Sequence, residues 1–203
     1  MAKWHGFGRC KTRLSKDIGK LSSAKVQSVM TNHTISVAKS LEKKGLIDIS
    51  LAISGLGFKK ADKWSRELGI KNFNLQGRGC LGEKMKRQIL FNKKFCIRRK
   101  ISNIIFVGTD LPDLCHLDIL NTIKMLQQND LVLGPSNDGG YWLIALSRKV
   151  FSSNLNSPFI NIKWSHQNVL QSTINNLSSL DLRYEYLQKK IDIDTLIDIE
   201  NRK

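Results

Sequence analysis

The sequence predicts an α/β fold in which helices cover both faces of a mostly parallel β-sheet. Segments with helical periodicity alternate with short apolar segments along the chain, and this alternation is typical of parallel sheets. The segment Asn103–Val107 (NIIFV) is nearly continuously apolar, which predicts a strand buried on both faces. The chain has no internal repeat and no linker rich in Pro, Gly or Ser, so residues 1–203 are expected to form a single domain.

The boundaries of the predicted elements follow from local signals. Gly45 and Gly69 are expected to end the first two helices, because glycine readily takes the left-handed conformation that closes a helix. Ser165 is expected to cap a later helix, and Thr195 is expected to begin the last one. The predicted helices span residues 22–44, 59–68, 82–94, 116–128 and 165–177, and the predicted strands span residues 47–53, 73–76, 103–107, 131–133, 141–146 and 183–187.

The net charge of +16 is high enough to suggest nucleic acid or another anionic ligand as a partner. The lysines are spread along the chain, however, and the sequence is also rich in Asn and Ile, which indicates a compositional bias rather than a dedicated patch. The one short basic run, residues 98–100, is expected to be a solvated helix end. Nucleic acid is therefore not the expected partner.

The four cysteines are scattered, with no C-x-x-C pair and none of the usual zinc spacings: Cys10, Cys80, Cys96 and Cys115. They are expected to be reduced thiols in a cytoplasmic protein. The N-terminal residues carry glycines and charges where a signal peptide would have an apolar region. No apolar run approaches the length of a membrane span, so none is expected.

A basic loop at residues 6–14 (GFGRCKTRL) is the first candidate site. Arg9, Lys11 and Arg13 place three cations within five residues. An arginine side chain can donate two hydrogen bonds to a pair of phosphate oxygens, and a lysine side chain supplies a single positive charge. Together they suit a pyrophosphate. The spacing is not that of a P-loop. A basic surface loop is an equally good interpretation of these residues alone.

Carboxylates appear at two places on the edge of the sheet where ligands bind in parallel α/β folds. Asp110 follows the strand at residues 103–107, and Asp192 and Asp194 precede the last helix. Mg²⁺ or Mn²⁺ is commonly held by one or two carboxylates together with substrate phosphates, so these residues predict a divalent-metal site. The alternative for the second pair is helix capping, for which Asp194 is the expected residue.

Two glycine-rich segments are weaker candidates. In residues 76–83 (QGRGCLGE), three glycines would leave room for a base or ribose against the backbone, although a plain loop is the better interpretation of these residues alone. In residues 136–141 (SNDGGY), Gly-Gly before a strand is typical of a turn. Asp138 beside it could orient an acceptor hydroxyl or act as a base.

Five stretches together resemble a bacterial GT-A-like family whose members are often labelled glycosyltransferases of arsenosugar biosynthesis. They read GRCKTRL, QGRGCLGEKM, GTDLPDL, VLGPSNDGGYWLIAL and DIDT, in the order of the family pattern. The similarity covers nearly the whole chain. It implies the nucleotide-diphospho-sugar transferase fold, which nucleotidyltransferases share, and a metal-dependent transferase that uses a nucleotide-diphosphate sugar.

The resemblance also implies roles for single residues. Asp110 corresponds to the catalytic metal-binding carboxylate, and Asp192 or Asp194 to the second acidic position. The remaining residues that the family pattern assigns are Arg9, Lys11 and Arg13 on the phosphates, Gly79 and Gly82 on the nucleotide, and Asp138, Gly139, Gly140 and Tyr141 on the acceptor side. A nucleotidyltransferase that takes a nucleoside triphosphate and releases pyrophosphate is the competing enzyme hypothesis.

Two departures from the family pattern stand out. Cys80 occupies a position where the family usually has Asp. Family members also carry an apolar strand before the basic loop, and residues 1–4 match only its end, so the first strand is expected to be largely missing and the true start to lie upstream. Two further hypotheses therefore stay open: a non-catalytic binder of polyanions or nucleic acid, and an inactive truncated family member.

Overall fold

The computed structural model describes residues 1–98, 103–153 and 157–201. Part of the predicted basic run, Arg99 and Lys100, lies outside these residues. The helices are α1 Leu14–Lys43, α2 Phe58–Glu67, α3 Leu81–Arg98, α4 His116–Met125, α5 Arg148–Ser153, α6 Val169–Ser178 and α7 Leu196–Glu200. The strands are β1 Ala2–Lys3, β2 Leu51–Ser54, β3 Phe73–Leu75, β4 Asn103–Val107, β5 Leu131–Pro135, β6 Tyr141–Ser147 and β7 Tyr184–Tyr186.

The chain forms two compact units. The first unit comprises Met1–Leu75, Gly108–His116 and Ile191–Lys203, and the second comprises Gln76–Val107 and Leu117–Lys190. The first unit contains a parallel sheet in the order β1-β2-β3. Its core is built from apolar side chains of the sheet, of α1 and α2, and of the segment between α2 and β3: Ala2, Ile35, Leu51, Ile53, Ala61, Trp64 and Ile70.

Helix α1 is longer than predicted and is broken near its start. It begins at Leu14 rather than at residue 22, but Gly19 has non-helical dihedral angles (φ 81°, ψ 160°) that interrupt it. At its end, Gly45 is left-handed, its N–H bonds to Glu42 and the Leu46 N–H bonds to Leu41. These bonds form the glycine-closed helix end that the sequence predicts. Gly69 closes α2 in the same way, as predicted.

The second unit contains a mixed sheet in the order β4-β6-β5-β7. β6 is antiparallel to β4 and β5, whereas β5 and β7 are parallel. The predicted burial of β4 on both faces is wrong, because β4 is an edge strand of this sheet and all its residues are only partly buried. The deeply buried strands are β5 and β6: Leu131 to Leu133 of β5 and Trp142 to Leu146 of β6 are nearly inaccessible.

Two predicted helix starts are wrong. Ser165 does not cap α6: the helix begins at Val169 after Asn168, and Ser165 takes a left-handed conformation (φ 63°) in the irregular segment before it. Asp194 does not cap α7, because Thr195 is the capping residue. The helix α5 and a short 3₁₀ helix at Ser157–Phe159 were not predicted.

Among the described residues, Cys10, Cys80 and Cys115 are not in disulfide bonds, and the side chain of Cys96 lies outside the description. No helix in the described part of the chain combines the length and the apolar character needed to cross a membrane.

Candidate functional site

Three of the predicted site residues meet around one buried ammonium group. Lys11 Nζ lies 2.8 Å from Asp110 Oδ1 and 3.0 Å from Asp194 Oδ1, and it also donates a hydrogen bond to the Ile193 carbonyl. The Lys11 side chain is 3% exposed, while those of Asp110 and Asp194 are 43% and 45% exposed. The arrangement therefore presents two solvent-accessible carboxylates over a buried cation.

The backbone of the basic loop holds Lys11 in an unusual conformation. Gly8 and Lys11 both have positive φ (67° and 47°), and only the glycine takes this conformation without steric cost. Burial lowers the pKa of Lys11, but Asp110 and Asp194 outweigh it, so the pKa is raised overall. Lys11 therefore stays charged despite its burial.

Asp110 is held in place through its own backbone and through its neighbours. Its carbonyl accepts a hydrogen bond from the Ile193 N–H at 3.0 Å. The preceding Thr109 is buried and its hydroxyl accepts a hydrogen bond from the buried amide of Gln27 on α1 at 3.4 Å. Farther along the same loop, His33 of α1 contacts the Leu114 carbonyl at 2.9 Å. Helix α1 thus supports the loop that carries Asp110.

A capping arrangement at α7 positions Asp194. The Asp198 carboxylate accepts hydrogen bonds from the Asp194 N–H (2.9 Å), the Thr195 N–H (2.7 Å) and the Thr195 hydroxyl (2.8 Å). Burial alone would raise the pKa of Asp198, but these bonds lower it overall. Since Thr195 and Asp198 satisfy the helix start, the Asp194 carboxylate is available to Lys11. Sequence reasoning missed Asp198, although the Thr-x-x-Asp spacing is a capping-box signal.

The other residues predicted for this region lie around the cluster. Arg9 and Arg13 are exposed on the loop on either side of Lys11, and Asp192 is half-buried two residues before Asp194. The structure therefore separates the three cations of the basic loop: the lysine is buried among carboxylates, and the two arginines face solvent.

Asp110 and Asp194 supply the donors that a hard divalent cation prefers. Both side chains are reachable from solvent, and both direct an oxygen at the same cation, Lys11. Mg²⁺ and Mn²⁺ commonly use one or two protein carboxylates and complete their shell with water and phosphate oxygens. Within residues 1–98, 103–153 and 157–201, no group of three or more His, Cys, Asp or Glu could hold a metal. A metal held by Asp110 and Asp194 would therefore need its remaining ligands from water and a phosphate substrate.

The predicted nucleotide loop belongs to the second unit. Gly79 has φ 106°, and the Glu83 carboxylate next to it accepts the Cys80 N–H at 2.8 Å. This bond lowers the pKa of Glu83. Arg87 on α3 donates to the carbonyls of Gln76 and Arg78. The loop is therefore fixed by side chains of the helix that follows it, and sequence reasoning did not identify Arg87 in this role.

The predicted acceptor residues form a tight turn in the second unit. Asp138 Oδ1 accepts a bond from the Ser136 hydroxyl and one from the Gly140 N–H at 2.9 Å. Gly139 has φ 84°, and a Cβ there would lie 1.8 Å from the Gln167 carbonyl oxygen. Burial raises the pKa of the Tyr141 hydroxyl, and Thr173 partly offsets this effect. The turn interpretation of these residues is correct, and a catalytic role for Asp138 stays a prediction.

Trp164 connects the two predicted sites of the second unit, and the sequence analysis did not single it out. Its ring packs edge-on against Tyr141, with centroids 6.5 Å apart. A Cβ on Gly82 would lie 2.7 Å from the same indole, so the missing side chain of Gly82 makes room for Trp164.

Comparison with known proteins assigns the family. Residues 37–166 match the model of a family described as "Uncharacterized protein conserved in bacteria (DUF2064)", which is well over half of the chain. The chain belongs to the DUF2064 family. The stretch of this DUF2064 protein that matches the family model includes Asp110 and the turn at residues 138–141. The basic loop and Asp194 lie outside that stretch. No curated protein matches the chain.

Solved structures confirm the predicted fold. The DUF2064 chain is similar to a "putative nucleotide-diphospho-sugar transferase" from Desulfovibrio desulfuricans, with a TM-score of 0.79, 24% identity, and coverage of 98% of this chain and 81% of that one. It is also similar to a 4-diphosphocytidyl-2C-methyl-D-erythritol synthase from Anaerococcus prevotii (TM-score 0.57, 13% identity, 85% and 86% coverage). A CMP:2-keto-3-deoxy-manno-octonic acid synthetase complexed with CTP gives a TM-score of 0.57 and 11% identity, with 99% and 93% coverage.

Proposed function

We propose that the chain is a transferase that uses a nucleotide-diphosphate sugar as donor and passes the sugar to a small-molecule acceptor. The observation that carries the proposal is the pair Asp110 and Asp194, two accessible carboxylates that share one buried cation. The fold supports it, because a nucleotide-diphospho-sugar transferase and two nucleotide-using synthases have the same fold. The cytoplasmic location expected from the cysteines is part of this proposal.

Asp110 and Asp194 are the residues that would hold Mg²⁺ or Mn²⁺, with Asp192 as the neighbouring carboxylate. Such a metal, when bound, supplies positive charge that stabilises the departing diphosphate. The exposed guanidinium groups of Arg9 and Arg13 are placed to bind phosphate oxygens in pairs. Their role is to bind and orient the donor, while the buried Lys11 fixes the two carboxylates.

The nucleotide and acceptor roles fall on the second unit. Gly79 and Gly82 are assigned to the nucleotide side through the loop that Glu83 and Arg87 hold. Asp138 is exposed, and it is assigned to orient the acceptor hydroxyl at the turn before Tyr141. Because Gly139 and Gly140 have no side chains, other groups can approach the backbone of this turn closely.

Nucleotidyl transfer is the second candidate, and the similarity to the two synthases favours it. The products distinguish the two reactions: glycosyl transfer releases a nucleoside diphosphate, whereas nucleotidyl transfer releases pyrophosphate. Incubation with nucleotide sugars and, separately, with nucleoside triphosphates in the presence of Mn²⁺, followed by product chromatography, decides between them.

Asp110→Ala tests whether either reaction uses the proposed site. We expect turnover to fall by at least about 10²-fold with the fold retained, because a charge that stabilises the transition state is lost. Asp113→Ala is the matched control, since Asp113 is exposed on the same loop. Equal activity of Asp110→Ala and the control would refute the assignment.

A further inference from the structure

We propose that Lys11 is a built-in counter-ion that competes with the divalent metal for Asp110 and Asp194. The inference rests on the proposed function, because it takes these two carboxylates to be the metal ligands. It departs from the role that the family resemblance implies for Lys11, which is contact with the phosphates.

The first argument is the position of the ammonium group. Lys11 Nζ lies within hydrogen-bonding distance of one oxygen of Asp110 and of one oxygen of Asp194. A metal that binds both carboxylates shares them with Lys11, through the same oxygens or through the second oxygen of each group. A cation between two anions stabilises them, and a second cation brought to the same carboxylates is repelled by the first.

The second argument is that Lys11 is held at this place. The side chain is almost fully buried, and its ammonium has a third partner in the Ile193 carbonyl. The left-handed backbone at Lys11 is a strained conformation for a non-glycine residue, and such strain persists only where the surroundings enforce it. Lys16, five residues further along at the start of α1, is exposed instead.

The third argument concerns the rest of the basic loop. Arg9 and Arg13 are exposed and can serve the phosphates without Lys11. Lys11 therefore keeps the two carboxylates together in the metal-free protein and weakens metal binding until a nucleotide adds its phosphate oxygens to the metal shell. Metal and nucleotide should consequently bind with positive coupling.

The test measures Mn²⁺ binding in the absence of substrate, by electron paramagnetic resonance of the free ion. We expect Lys11→Met to bind Mn²⁺ at least about tenfold more tightly than the unchanged protein, because the competing charge is gone. Methionine is unbranched and of similar length, so it fills the buried space. Lys11→Arg keeps the charge and should not show this gain in Mn²⁺ affinity.

A second measurement, the Tm with and without Mn²⁺, shows whether Lys11→Met is folded. Without metal, Lys11→Met should have a lower Tm than the unchanged protein, since Asp110 and Asp194 then repel each other; added Mn²⁺ should raise its Tm by more than it raises that of the unchanged protein. Lys16→Met removes the same charge from an exposed position and controls for net charge. A Mn²⁺ affinity of Lys11→Met that is equal to or weaker than that of Lys16→Met would overturn the proposal.

Asp110→Ala separates this proposal from the proposed function. If Mn²⁺ binding depends on Asp110 but is unchanged in Lys11→Met, the competition is refuted and the metal site stands. If neither the unchanged protein nor Lys11→Met binds Mn²⁺ in an Asp110-dependent manner, the competition and the metal site are both refuted.

Discussion

The Asp198 carboxylate accepts the backbone N–H of Asp194 at 2.9 Å, and this contact determines what the Asp194 side chain does. Because Asp198 and Thr195 satisfy the start of α7, Asp194 directs its carboxylate to Lys11 instead of to the helix. A residue that looks like a helix cap in the sequence is thereby a member of the candidate site.

Asp198→Ala should destabilise the protein by about 1 kcal/mol, the usual effect of losing a helix cap. It should also lower activity, because Asp194 loses the bond that fixes its backbone. Urea denaturation and turnover measure the two effects. Glu200→Ala is the control, since it removes an exposed acidic side chain from the same helix. Equal stability of the two variants would contradict the capping role.

Gly139→Ala should reduce the free energy of unfolding by more than about 2 kcal/mol, because alanine is strained at φ 84° and its Cβ would overlap the Gln167 carbonyl. Gly57→Ala provides the comparison: Gly57 has φ −79°, and a Cβ there would meet no atom within 4 Å beyond its chain neighbours. Chemical denaturation of both variants checks this prediction. A loss at position 139 no larger than that at position 57 would show that the turn relaxes.

Cys80→Ser should stabilise the protein by about 0.5 to 1 kcal/mol. Cys80 directly precedes α3, its carbonyl accepts the Lys84 N–H at 3.1 Å, and its N–H bonds to Glu83. This is the position of a helix cap, for which serine has the side-chain oxygen that cysteine lacks. Cys80→Ala, which adds no oxygen, should not show the gain in thermal denaturation.

The bond from the Cys80 N–H to Glu83 should make stability depend on pH. The pKa of Glu83 is lowered in the folded protein, so its contribution is present above the ordinary glutamate pKa of 4.5 and is lost as the pH falls through the folded-state value. The stability difference between the unchanged protein and Glu83→Ala should shrink in that range. Glu83→Gln, which keeps an acceptor but does not titrate, should differ from Glu83→Ala by the same amount at every pH.

The parts of the fold that depend on local signals could be predicted from the sequence. Gly45 and Gly69 end their helices as expected, since a left-handed glycine satisfies the last carbonyls within a few residues. The burial of β4 could not be predicted in this way. An apolar run such as NIIFV shows that a strand is present, but its place in the sheet depends on pairing with β6, which is distant in sequence.

The candidate site was predicted as a set of residues but not as a set of contacts. Asp110 was expected to form one acidic site with Asp192 or Asp194, and the structure places Asp110 and Asp194 on the same lysine. The position of Lys11 between them could not be predicted, because it depends on the left-handed backbone of the basic loop and on the Ile193 carbonyl. Trp164 was missed for a similar reason: its partners, Gly82 and Tyr141, are far from it in the chain.

The central claim, a nucleotide site that depends on Asp110, is tested most directly by thermal denaturation with nucleoside diphosphates, nucleotide sugars and Mn²⁺. A ligand at a concentration of 100 times its Kd stabilises by about 2.7 kcal/mol, which corresponds to a rise in Tm of about 5 to 10 °C for a chain of this size. We predict such a rise with at least one nucleotide together with Mn²⁺, and a much smaller rise in Asp110→Ala. Equal shifts in both proteins, or stabilisation by nucleic acid alone that disappears steeply with salt, would contradict the account.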